Sequence, residues 1–551
     1  MIQSARMKQS AQSRIRRPAV VFQPNLIDGI NLIADVVKPT LGPLPRTVGI
    51  ENTTMRDRPP EVLDSAGVIA RRIIQIGGDT RDAGAMMMRH AIWRMHETCG
   101  DGAATAAVLA QSIVQHATKA VAAGAHPALL KRGIELGVDQ ATASLRAQAV
   151  RLPGGKAGRE LLAHLARTLC PDDELADVLV EIVEITGADG AVHVINNDAR
   201  RIERDYVEGA MWEWEWLTTG FANDAIQTRA RASDAAIVLL DGKFDTAQNT
   251  VEGLRRLHAL GKVTVVLIAE NLTDEAKSIF IQAKLSGMFT ILPVKAPVAD
   301  AKRMVALSDI AALTGARILF GDGVGFANVV EEDLGYVRRA WVTHKQFGLI
   351  GGRRDPVLLR HNIALVRKQI ESTANLDEIA ELRLRLGRLC GGLAIVRVGA
   401  ATSKMQEDRK DQAIRLSRAL QMATRSGLVA GGGAALLRAS ESISLDSDAS
   451  EVTMGMRCVA RGLVAPLATI AANAGHDASM IVKQAQLAPR KANPYGLNAR
   501  TGEVVDMLQA GIVDSVETVE RALHIAGSLA AMVITTDAVV HHRNPAMSAL
   551  P

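Results

Sequence analysis

The chain has 551 residues, of which 48% are hydrophobic and 22% charged, with a formal net charge of +5 and a pI of about 9.0. That length exceeds what one hydrophobic core organises, so two to four domains are expected, and the composition excludes an intrinsically disordered chain. No uninterrupted apolar run reaches the roughly 18 residues that cross a bilayer.

The chain begins with Arg6, Lys8, Arg14, Arg16 and Arg17 and has no acid in its first 17 residues. Such a leader reads as a disordered basic extension, with a mitochondrial transit peptide as the alternative. Residues 24–38 place Ile27, Ile30, Ile33 and Val37 at helical spacing, and the helix should stop before Pro39. Long helices are also predicted over 103–123 and 515–540, apolar on most faces and therefore buried. Between them the pattern changes. Strand-like runs at Ala236–Leu240 and Val263–Ala269 alternate with helical stretches at 246–260 and 273–286, which implies an α/β layer between about 208 and 392. Gly391-Gly392 reads as a hinge back to the helical part. Cys99, Cys170, Cys390 and Cys458 form no CxxC or Cys/His spacing, which reads as a reducing compartment without a zinc site.

Three small-residue clusters carry candidate chemistry: Thr40-Leu41-Gly42-Pro43, Gly100-Asp101-Gly102-Ala103-Ala104-Thr105 and Gly431-Gly432-Gly433. The second opens a helix, where glycines let the backbone approach a phosphate and free N–H groups favour an anion. Asp101 there could hold an accompanying Mg²⁺, a hard cation that prefers a carboxylate and phosphate oxygens. A GDG before a helix is also a common capped turn. No GxxxxGK[ST] stretch is present, so the chain is not a P-loop protein.

The stretch 100–138, GDGAATAAVLAQSIVQHATKAVAAGAHPALLKRGIELGV, resembles the signature of group I chaperonins of the GroEL family. KPTLGP (38–43), YVEG (206–209), VKAP (294–297), DIAALTGARI (309–318), VGAAT (398–402), GLVAGGGAALLRA (427–439) and MVITTDAVV (532–540) are similar to further family segments in the same order. The resemblance runs from about residue 20 to 542. It implies a multidomain α and α/β fold, with a helical equatorial domain carrying inserted intermediate and apical domains. The segments would be 1–19 extension, 20–147 equatorial, 148–207 intermediate, 208–392 apical, 393–425 intermediate and 426–545 equatorial. It further implies ATP and Mg²⁺ as ligands and a cytoplasmic, homo-oligomeric ring of seven subunits, single or paired. Unfolded protein would be the client, with a GroES-type cap as a further partner; no membrane partner is implied.

Carried over by resemblance, the nucleotide contacts fall on Thr40, Leu41, Gly42, Pro43, Asp101, Gly102, Ala103, Ala104, Thr105, Gly432, Asn498, Ala499 and Asp514, with Asp101 the metal ligand. Two acids of the family's hydrolytic site are replaced. Running ungapped from Gly399-Ala400-Ala401-Thr402 to Gly431-Gly432-Gly433, the water-activating Asp position holds Arg415. The second acid falls on Ser65, and a shift of one residue would bring Asp64 into its place. An arginine cannot act as a general base because its guanidinium stays protonated. The client groove maps to Trp216, Thr218, Gly220, Phe221, Val251, Leu254, Lys277, Ile281 and Gln282, with Lys277 and Gln282 polar where the family is aliphatic. Trp216 is expected to face the client, and Trp212 and Trp214 to belong to the core. Two family salt-bridge positions hold Trp214 and Ser403.

Three functions follow. The first is a chaperonin subunit that binds ATP and clients but hydrolyses weakly. The second is a fully active folding ATPase using Asp64 or another acid. The third is a chaperonin-derived scaffold or nucleic-acid binder using the basic leader, whose binding would weaken steeply with salt.

Overall fold

The computed structural model describes residues 19–51, 60–76, 81–197, 199–216, 221, 230–244, 246–296, 300–320, 322–343, 345–373, 376–390, 392–445, 450–488 and 494–541. The basic leader, Thr218, Gly220, Gly391 of the expected hinge and the chain end beyond His541 lie outside the described residues. The chain forms two compact units, one built from residues 1–184 and 411–551, the other from 185–410. The expected intermediate segments 148–207 and 393–425 are each divided between the two.

The first unit is helical. The predicted helix at 24–38 is observed as Gln23–Val37, followed by a short 3-10 turn, Lys38–Thr40, that carries Pro39. Ile30, Ile33, Ala34 and Val37 are fully buried, the stripe that a 3.6-residue period sets on one face. The helix Ala103–Ala122 presents Ala103, Ala106, Ala107, Ala110, Ile113, Val114 and Ala117 to the same core. Small side chains along it let neighbouring helices approach closely, and Val516–Ile534 packs against it. The predicted helix over 515–540 is shorter than expected. It ends at Ile534, and Ala538–His541 forms a strand paired antiparallel with Ala19–Phe22. The stretch Glu451–Asn473 is long and apolar enough to cross a membrane by length and composition alone. It is two helices, Glu451–Gly462 and Ala465–Asn473, mostly buried in this core.

The second unit is built on a mixed sheet. Its described strands include Ala230–Asp241, flanked in parallel by Thr264–Ala269 and antiparallel by Gly335–Val342. Thr290–Lys295 extends the parallel side, and Glu203–Trp212, Gly392–Val398 and Ala191–Asn196 complete the other end. The apolar run at 235–240 is continuous because both faces are covered. Ile237 and Leu239 join Val266, Ile268, Leu307 and Ile310 on one face, while Val238 and Leu240 join Leu257, Phe280 and Phe326 on the other. The helices predicted at 246–260 and 273–286 are observed as Ala247–Ala259 and Asp274–Leu285, each capped by a threonine, Thr246 and Thr273.

Candidate functional site

The GDG turn joins two long helices of the first unit. The helix Asp82–Cys99 closes on Gly100, which takes a left-handed conformation (φ 73°) and donates its N–H to the His96 carbonyl at 3.0 Å. Gly102, also left-handed (φ 78°), starts the next helix by accepting at its carbonyl from the Ala106 N–H at 2.9 Å. Only glycine adopts two such conformations without steric cost. The turn also has no room for a side chain: a Cβ on Gly100 would lie 2.5 Å from the carbonyl oxygen of Arg415. The N–H groups of the first helical turn, at Ala103, Ala104 and Thr105, therefore have no carbonyl of their own helix to bind, and the helix dipole adds positive potential there.

Leu41, Ala499 and Asp514 among the other expected contacts lie near this turn. Asn473 Nδ2 donates to the Lys38 and Leu41 carbonyls at 3.0 and 2.9 Å, and Thr40 Oγ1 donates to the Val37 carbonyl at 2.7 Å, which fixes the Thr40–Pro43 loop. Leu41 packs with Val108 and Ile470, and Ala104 and Ala499 seal the same small cluster. Leu428–Ala430 pairs antiparallel with Val513–Ser515, setting Val429 opposite Asp514, and the Gly431 N–H donates to the Ile512 carbonyl at 2.9 Å. Asn498 closes a turn, its Oδ1 accepting from the Arg500 N–H at 3.1 Å. A cavity of about 380 Å³ bordered by Lys131, Asp139, His524 and Thr535 shares no residue with these loops.

Asp101 and Asp514 are both strongly perturbed. Burial pushes the Asp514 carboxyl up to about 7, helped by the negative charge of Asp101 and opposed by the Gly432 N–H. Burial also raises Asp101, against the Gly102 N–H and the positive charge of Arg415. Two desolvated carboxylates that repel each other, beside free N–H groups at a helix start, suit a hard divalent cation bridging to phosphate oxygens. The donor set therefore fits a Mg²⁺-nucleotide.

Arg415 lies on the helix Ser403–Ser426, its backbone against the GDG turn. Its Nε is buried without a hydrogen-bond partner. Ser65 precedes the helix Ala66–Arg72 and makes no side-chain capping bond, while Asp64 beside it is exposed. Sequence reasoning missed the residue at the centre of this arrangement, His96. Its ring packs on Gly67, where a Cβ would fall 2.2 Å away, and stacks on Trp93 with centroids 5.1 Å apart. Burial first, then Arg415, Arg418 and Arg71, lower the imidazole to about 4, so it is neutral at physiological pH. Positions 65 and 415, where the resemblance calls for an acid, thus belong to elements gathered around one neutral histidine. No local pattern in the sequence marks it.

In the second unit the client positions divide. Val251, Lys277 and Ile281 are half-buried on the two helices over the sheet, and Gln282 is exposed. Trp216 does not face outward as expected. It is 8% exposed, forms an antiparallel β-bridge with Val294 and donates its backbone N–H to the Thr343 carbonyl at 3.2 Å. Phe221 and Leu254, 1% and 8% exposed, sit in the core with Phe244 and Phe280. Large apolar side chains beside a sheet face gain most by leaving water, and these three do so. Trp212 and Trp214 both pack on Phe347, with ring centroids 5.7 and 6.0 Å from it. Leu285 at the end of the second helix and Met288 just beyond it, 79% and 54% exposed, are apolar side chains that were not anticipated.

A helical unit carrying these loops, joined to an inserted α/β unit, defines a chaperonin-type protein. The chain belongs to the TCP-1/cpn60 chaperonin family, whose sequence pattern matches residues 33–544. Its fold is similar to that of the chaperonin gp146 from the bacteriophage EL 2 (Pseudomonas aeruginosa), solved in the presence of ATP-BeFx in two crystal forms. The TM-scores are 0.73 and 0.65 at 18% identity, over 95% of this chain and 99% of that one.

Proposed function

We propose that this chaperonin subunit binds ATP with Mg²⁺ between the Thr40–Pro43 and Asp101–Thr105 loops, holds unfolded chains within a ring assembly and hydrolyses ATP slowly. The observation that carries the reading is the contact between Gly100 and the Arg415 backbone, which sets a guanidinium beside Asp101 where the family resemblance calls for a water-activating acid. Asp101, with Asp514 behind it, would hold the metal, and the helix N–H groups would receive phosphate oxygens. Bound there, Mg²⁺ would supply charge neutralisation for the phosphates. Arg415 cannot take a proton from water, and loss of a positioned general base typically slows a reaction by about 10²–10⁴-fold. The presence of ATP-BeFx with the similarly folded gp146 supports nucleotide binding as the first property to test. Apolar Val251, Ile281, Leu285 and Met288 supply the surface for client capture, and a GroES-type cap remains the expected partner of a ring.

Calorimetric titration with ATP analogues, steady-state turnover and sedimentation of the same preparation test the reading. It requires tight binding, slow turnover and a species several subunits in size; a monomer that binds no nucleotide contradicts it.

A further inference from the structure

Arg415 does more than vacate an acid's place. Its Nε is buried with no hydrogen-bond partner, and it forms no ion pair among the described residues, although Asp101 lies within electrostatic reach. A buried donor left without a partner is costly, so such a group persists where a ligand completes it. The two arginines that share its surroundings are engaged elsewhere. Arg418 donates from Nη1 to the Glu97 carbonyl at 2.6 Å, and the Arg71 guanidinium lies 5.0 Å from the centroid of the Trp93 ring. Both, like Arg415, act electrostatically on His96.

The group best matched to a guanidinium with an unpartnered Nε near an anion-binding helix start is a phosphate, which a planar fork can bind through two parallel hydrogen bonds. Replacing a carboxylate there by a guanidinium also reverses the local charge from repelling to attracting a further phosphate. We infer that Arg415 is a specificity-determining ligand for the terminal phosphate of a nucleoside triphosphate, so that this site retains ATP and releases ADP. The inference rests on the proposed nucleotide site and concerns which nucleotide that site keeps.

The test is calorimetric titration of the full-length assembly with Mg²⁺ and either ADP or the non-hydrolysable analogue AMP-PNP. The parent protein should bind AMP-PNP at least tenfold more tightly than ADP. Arg415→Ala and Arg415→Gln should bind ADP within about twofold of the parent and lose the preference for AMP-PNP, retained ADP binding showing that the site is still folded. Equal parent affinities for the two nucleotides, or a preference that survives in both variants, would overturn the assignment of Arg415 while leaving the nucleotide site in place. A parent that binds neither overturns the nucleotide site itself. Should both variants fail to fold, the ratio of the two parent affinities decides.

Discussion

Asp514, on the strand Val513–Ser515, is held near 7 rather than the ordinary 3.8 by burial first and then by the negative charge of Asp101 in the GDG turn. Between those two values the folded state binds more protons than the unfolded chain, so this group makes nucleotide-free stability fall as pH rises through the window. Asp514→Asn should therefore raise the stability of the nucleotide-free protein at pH 8 by at least about 1 kcal/mol, and by much less at pH 4. Chemical denaturation at the two pH values measures this; an equal effect at both would show that the carboxyl is not protonated by its surroundings.

His96 should act with the opposite sign. Its imidazole titrates near 4 in the folded protein and near 6.5 when free, so the unfolded chain binds the extra proton between those values. Stability contributed by the neutral ring is complete above about pH 6.5 and is lost as pH falls toward 4. His96→Gln should lower stability at pH 8 by about 1 kcal/mol through lost stacking on Trp93 and should flatten the acid slope. A slope unchanged in the variant would remove His96 from the account.

Asp101→Ala should abolish Mg²⁺-dependent nucleotide binding without unfolding the protein, because the carboxyl is the one acid set between the two left-handed glycines of the turn. Removing its charge should also lower the Asp514 pKa. Titration with and without Mg²⁺ checks the first effect. Unchanged affinity would reduce Asp101 to a turn residue.

For clients, the burial pattern separates capture from stability. Val251→Ser with Ile281→Ser should weaken capture of a denatured protein while leaving the melting temperature within a few degrees, since both side chains are half-buried. Leu254→Ser should instead destabilise the 185–410 unit by about 2–5 kcal/mol, the cost of a cavity beside Phe244. Capture unaffected by the double substitution would place the client surface elsewhere.

Much of the fold was legible because its signals are local. The Ile30–Val37 stripe, the continuous apolar run at 235–240 and the GDG turn before an alanine-rich helix each specify an element within a few residues. What escaped depends on long-range pairing. The strand Ala538–His541 exists because it pairs with Ala19–Phe22, more than 500 residues away, so apolar periodicity alone extended the preceding helix through it. Trp216 alternates like a strand residue, yet its burial is set by Val294 and Thr343. An arginine at 415 is plain in the sequence, but its unpartnered Nε and the histidine it shares with Arg71 are not, because they arise from helices distant in the chain.

The most direct measurement is ATP turnover by the parent, Arg415→Asp, and Ser65→Asp combined with Arg415→Asp, at ATP concentrations that saturate each, with binding measured on the same preparations. A carboxylate at position 415 can orient water and accept its proton, and the proposed phosphate loops are unchanged in both variants, so turnover should rise at least about tenfold in one of them. If both bind ATP and neither exceeds the parent, hydrolysis is not limited by the residues at these two positions, and the account of a chaperonin site disabled there is wrong.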